Sequence, residues 1–148
     1  MRAKFRDSEV ERLEQFLTGP ERRPIMLIGK PKAGKTTVLH EAVYRIIEKR
    51  QTKKRNRYKA GFWKIHTNRL IAGMSHVGDW EKRIISIIKE SEKSGHTLVF
   101  DQISALFQLG KSASSNLCMA DLIKNYLNKR QFRFVGEVTH EELSLIHI

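Results

Sequence analysis

The sequence holds one cysteine, Cys118, so no disulfide can close within the chain. No Cys and His residues stand at the spacing of a zinc site. Both absences fit a reducing, cytoplasmic setting rather than a disulfide-built secreted scaffold. No apolar run approaches the roughly 20 residues that a membrane helix needs. The opening stretch, MRAKFRDSEVERLEQF, is too charged to read as a secretory signal. There is no internal repeat and no low-complexity tract. Acidic residues are missing from one place in particular: residues 49 to 59, KRQTKKRNRYK, hold seven cations and no acid, a marked part of the net charge of +12. Such a run is ordinarily a solvated loop. With Tyr58 it also keeps open a role in tracking a nucleic-acid strand.

What is present suits one globular α/β domain. The chain has 148 residues, 40% hydrophobic and 30% charged, enough for a core. Ser8 and Glu11 read as a capping box before a helix with Val10, Leu13, Phe16 and Leu17 inward, ending near Gly19-Pro20. PIMLI (24–28), FWKIH (62–66), TLVFD (97–101) and QFRFVG (131–136) read as strands. Between them lie helical patterns: Val38, Leu39, Ala42, Val43, Ile46 and Ile47; then Trp80, Ile84, Ile85, Ile87 and Ile88, stopped by Gly95; then Leu117, Ala120, Ile123, Tyr126 and Leu127. Strands alternating with helices predict a mostly parallel sheet covered on both faces, a three-layer sandwich. Ligands of such sheets sit beyond the carboxyl ends of the strands.

Two motifs fall at strand ends. GKPKAGKT, 29 to 36, matches G-x-x-x-x-G-K-[ST] and lies between a strand and a helix, as a P-loop requires. Gly29, Lys30, Pro31, Lys32, Ala33 and Gly34 form the loop, with Lys35, Thr36 and Thr37 opening the helix. Its backbone N–H groups and the helix N-terminus are expected to face the phosphates of ATP. Lys35 is expected at the β and γ phosphates, and the Thr36 hydroxyl on Mg²⁺. Asp101, ending LVFD, suits the second contact to the metal, directly or through water. The strand after it presents a polar residue near the γ-phosphate; Thr139 is the candidate, with Val138 the competing register.

From Phe5 to Glu142 the sequence resembles the first AAA+ ATPase module of Clp-type unfoldases and disaggregases, of the ClpA and ClpB kind. FRDSEVERLEQFL is similar to the helix before their P-loop, and LIGKPKAGKTTVLHEAVYRI to their Walker A strand, loop and helix. LIAGMSHVGDWEKRIISIIKE resembles their pore-loop segment, TLVFDQISALF their Walker B region, and ADLIKNYLNKRQFRFVGEVTHEEL their sensor strand with its preceding helix. The resemblance implies an AAA+ P-loop NTPase fold, ATP and Mg²⁺ as ligands, a homo-oligomeric ring, expected to be a hexamer, and a protein substrate.

Three positions depart from the family pattern. Gln102 stands where a Glu usually activates water. A Gln lacks a basic oxygen at neutral pH, so a loss of about 10²–10⁴ in rate is the expected scale, although Gln can still orient water. A single-base sequencing error is the rival explanation. His76, in AGMSHVG, stands where a pore-loop Tyr grips substrate, and offers a smaller ring. Lys32 stands where the P-loop often has a middle Gly.

The family module continues into a fifth strand, an arginine finger and a lid, so the fold is expected to be incomplete at its C-terminal side. LSLIHI, 143 to 148, can be encoded by a string resembling a transposon end used in sequencing libraries. These residues therefore read as a non-native tail on a domain spanning 5 to 142, the alternative being a natural apolar end. Three functions stay open: a protein-remodelling ring ATPase, a regulatory nucleotide-binding module without turnover, and a nucleic-acid-associated P-loop ATPase.

Overall fold

The computed structural model describes residues 3, 5–52, 60–72, 77–101, 103–108 and 119–145. Gln102, His76 and residues 53–59 of the basic run lie outside the described residues. Four strands are present among the described residues: β1 (Ile25–Ile28), β2 (Phe62–His66), β3 (Thr97–Asp101) and β4 (Arg133–Val138). They form one sheet in the order β1-β4-β3-β2, with every neighbouring pair parallel. The last of the described strands thus lies between the strand that feeds the P-loop and the strand that ends in Asp101. β3 is central and apolar, and its first four residues are buried.

Side chains alternate across the sheet and divide the core in two. On one face, Val99 and Val135 pack with Val10, Leu13 and Leu17 of α1 (Asp7–Thr18) and with Val38, Leu39, Ala42 and Ile46 of α2 (Lys35–Thr52). On the other, Leu98, Phe100, Phe134 and Val138 meet Trp80, Ile84 and Ile88 of α4 (Val77–Ser94). Leu70 of α3 (Thr67–Ile71), Ile103 of α5 (Ile103–Gln108) and Ile123 of α6 (Met119–Asn128) complete that second layer. Leu143, from α7 (His140–Leu145), packs at its margin. The α/β three-layer arrangement expected from the alternating pattern is what the chain adopts.

Local details differ from the sequence reading in four places. The Ser8–Glu11 capping box does not form: α1 starts at Asp7, and the Ser8 hydroxyl donates to Glu9 Oε2 at 2.8 Å. The acids Asp7 and Glu9 in the first turn complement the helix dipole instead. Phe16 and Ile47 were expected inward but are more than two-fifths exposed, because each sits at the edge of its helix's apolar stripe. The fourth strand runs 133–138 rather than 131–136, pairing through to Val138 opposite Ile28. The short helices α3, α5 and α7 are additional to the expected elements.

Gly136 on β4 is a packing requirement. A methyl group there would overlap Ile103 Cδ1 and approach Met26 Sδ to 3.1 Å. The missing side chain lets α5 seat directly on the sheet, which fixes where the chain goes after Asp101.

Candidate nucleotide site

The loop between β1 and α2 lies beyond the carboxyl ends of β1, β4 and β3. Its start is tied to the sheet, since Gly29 N–H donates to the Val138 carbonyl at 3.2 Å. A turn follows, with Ala33 N–H donating to Lys30 O at 3.2 Å. Two residues take left-handed backbone: Gly34 at φ 84° and Lys32 at φ 61°. A position with positive φ favours glycine, which accounts physically for the Gly that the family pattern has where Lys32 stands.

Lys35 closes on the loop itself. Its ammonium donates to Gly29 O at 2.7 Å and Lys30 O at 2.9 Å. Two backbone carbonyls thus hold the cation at the mouth of the loop, where an anion can replace them. Thr36, the next residue, donates its hydroxyl to Glu137 Oε2 at 2.6 Å. Glu137 sits on β4, paired in register with Leu27 of β1. The sequence reading missed it; the signal available was the strand alternation, which turns Glu137 to the α2 face while buried Val138 turns away.

Asp101 projects from the end of β3 but bonds sideways. Its Oδ2 lies 2.6 Å from His66 Nδ1 and 3.9 Å from Lys64 Nζ, both on β2. Its carbonyl accepts from the Thr67 hydroxyl at 3.0 Å. Thr36 and Asp101 therefore stand at one end of the sheet, each bonded to a different partner.

Of the two candidate registers on β4, Val138 is core. Thr139 follows the strand and caps α7: Glu142 N–H donates to Thr139 Oγ1 at 3.1 Å, and Thr139 N–H donates to Glu142 Oε2 at 2.8 Å. This T-x-x-E arrangement is a reciprocal capping box. Ser104 on α5 donates to the other Glu142 oxygen at 2.8 Å. The Thr139 N–H and then the Ser104 hydroxyl hold the Glu142 carboxyl below the usual carboxylate range, and the Lys35 charge acts the same way.

Beside the loop, a cavity of about 630 Å³ runs along β1 towards α1. Gly29, Ala33 and Lys35 border it at one end, with Arg12, Leu13 and Phe16 of α1 along its wall. Arg6, Glu9 and Arg23 line it as well, so apolar and charged side chains share a space that suits a purine-sized group next to the loop. At its described end the basic run is largely exposed, but its first two cations are engaged. Lys49 pairs with Glu14, and Arg50 donates to Ala60 O at 2.8 Å.

No protein-family profile matches the chain. Individual relatives do. It is 29% identical over 140 residues to the chaperone protein ClpB of Malacoplasma penetrans, covering 93% of this chain and 20% of that protein. It is 30% identical over 139 residues to ClpB of Bacteroides thetaiotaomicron, covering 93% and 16%, and 28% identical over 138 residues to a ClpA homolog protein of Fuscovulum blasticum, covering 93% and 17%. Among solved structures, the Hsp104–ADP complex of S. cerevisiae superposes with a TM-score of 0.73 at 25% identity, covering 98% of this chain and 24% of that one. A closed state of Hsp104 with ATPγS and FITC casein also gives 0.73, at 26% identity, with 97% and 24% covered. The chain spans about a fifth or less of the length of the curated relatives named here. Homology along 93% of its length and a shared α/β fold agree: the chain is a Clp-type AAA+ sequence.

Proposed function

We propose that this chain is the ATP-holding module of a Clp-like ring ATPase that remodels or unfolds proteins. The observation that carries the reading is the loop 29–34, with Lys35 held by two replaceable carbonyls and Thr36 beside a carboxylate. In this reading Lys35 exchanges the Gly29 and Lys30 carbonyls for phosphate oxygens. The Thr36 hydroxyl and Asp101 hold Mg²⁺. The cavity beside Leu13 and Phe16 takes the base. The bound nucleotide supplies the phosphoanhydride whose hydrolysis moves the loop around His76 against a protein substrate. A ring of identical subunits, a hexamer by family resemblance, completes the site in a cytoplasmic setting. Residues 5–142 form the P-loop subdomain, against whose core Leu143 of α7 also packs.

Thermal protection tests the nucleotide reading. A ligand at about 100 times its Kd stabilises the folded state by roughly 2.7 kcal/mol. Mg-ATP should therefore raise the melting temperature of the chain by several degrees, and not that of a Lys35→Ala variant. An unshifted melt at millimolar Mg-ATP would remove the reading.

Gln102 favours a second version, a module that binds ATP with little turnover, because its amide cannot take a proton from water. Gln102→Glu separates the two. A rise in phosphate release of about 10²–10⁴ fits an otherwise intact catalytic site. No change fits a regulatory module.

A further inference from the structure

We propose that Glu137 is the positioning residue of the cation half of this site. It orients the Thr36 hydroxyl and adds a fixed negative charge where a divalent ion, rather than the bare triphosphate, is favoured. The proposal rests on the nucleotide-binding reading above.

Gly136 of β4 pairs with Phe100 of β3, and Glu137 pairs with Leu27 of β1. One further step along the parallel ladder sets Glu137 level with Asp101. Register partners in a parallel sheet project to the same face, and neighbouring strands lie about 4.8 Å apart. Two carboxylate residues therefore stand side by side on the face that carries α2, at the carboxyl ends of adjacent strands.

Their partners differ in kind. Asp101 faces the nitrogen of His66 and the ammonium of Lys64. Glu137 is half-buried, and among the described residues no cationic side chain pairs with it. What it has is the Thr36 hydroxyl at 2.6 Å. A hydroxyl has one proton and two lone pairs. Because the carboxylate accepts only, that proton must point at Glu137. Both lone pairs of Thr36 Oγ1 are then turned away from β4 and remain available to a cation. A half-buried carboxylate that no cationic side chain pairs with among the described residues, next to an oxygen whose hydrogen-bonding proton it has taken up, attracts a divalent ion and repels an uncompensated polyanion.

This gives opposite signs in two conditions, which a purely structural role would not. The experiment is fluorescent ATP-analogue binding to the 148-residue chain, once with excess Mg²⁺ and once with EDTA. It compares the native protein with Glu137→Gln, which keeps an acceptor for Thr36 but loses the charge, and with Glu137→Ala, which loses both. Binding of Mn²⁺ alone, followed by its paramagnetic resonance signal, is the second readout.

Both variants should bind the metal-free nucleotide at least as tightly as the native chain, while the gain in affinity on adding Mg²⁺ falls by about tenfold. Glu137→Ala should lose more of the Mn²⁺ affinity than Glu137→Gln, since it also releases the Thr36 rotamer. An unchanged Mg²⁺ gain in both variants would overturn the proposal. So would equal weakening with and without metal, which marks Glu137 as structural. If the native chain binds the analogue in neither condition, the nucleotide reading itself fails and the proposal with it.

Discussion

Lys32 carries a measurable cost in the P-loop. Its φ of 61° lies in the left-handed region, where an L-residue is disfavoured by about 1–2 kcal/mol. Glycine escapes that penalty but gives back about 0.5–1 kcal/mol through its freer unfolded chain. Lys32→Gly should therefore be more stable than Lys32→Ala by about 0.5–1 kcal/mol. The comparison uses two variants because both remove the same cation, so charge cancels and only backbone conformation differs. For a chain of this size about 1 kcal/mol moves Tm by roughly 2–4 °C, so thermal unfolding followed by circular dichroism resolves the pair, with urea unfolding as a check. A Lys32→Gly variant that melts at or below Lys32→Ala would refute the assignment of a left-handed residue at this position. The pair also separates two effects on nucleotide affinity: a loss common to both reports the Lys32 charge, and a difference between them reports loop geometry.

Further tests address other parts of the molecule. Thr139→Ala removes one half of the capping box on α7 and should cost about 1 kcal/mol in urea unfolding, whereas a plain surface threonine would cost nothing measurable. Glu142 titrates below its ordinary value of 4.5, so its stabilisation is complete above that pH and is lost as pH falls through the lower folded value. The stability gap between native protein and Glu142→Gln should accordingly close on acidification below that range; a gap that widens there contradicts the sign. Gly136→Ala forces Ile103 aside and should destabilise by about 1–3 kcal/mol, read as a lower urea midpoint. Among the described strands β1 lies at an edge of the sheet, with Ile28 and Phe16 exposed, so the chain should associate with rising concentration in sedimentation and Ile28→Lys should reduce that association; a native chain that stays monomeric, or association unchanged by the substitution, would refute it.

The sequence was legible where a segment is long or continuously apolar. TLVFD and FWKIH form strands over the expected residues, and the α4 pattern ends at Gly95, whose φ of 70° is the turn that stops it. The short helices were opaque because five or six residues cannot display a helical period. α7 did carry a signal, the T-x-x-E of 139–142, but Thr139 was weighed as a phosphate-facing residue, and its hydroxyl bonds to the Glu142 N–H. The reverse happened at Ser8: the pattern was present, but Asp7 begins the helix and leaves Ser8 inside the first turn. In the candidate site, the loop residues were legible because the motif is contiguous. Glu137 and His66 were not, because their relation to Thr36 and Asp101 depends on strand order. β4, last in the chain, inserts between β1 and β3, and no local spacing announces that.

The most direct test of the account is calorimetric titration of Mg-ATP into the 148-residue chain and into Lys35→Ala. One site per chain is expected in the native protein and no resolvable binding in the variant, because Lys35 is the cation that the loop carbonyls hold for the phosphates. Binding of equal strength in both proteins, or in neither, would contradict the claim that the loop from Gly29 to Gly34 is a nucleotide site.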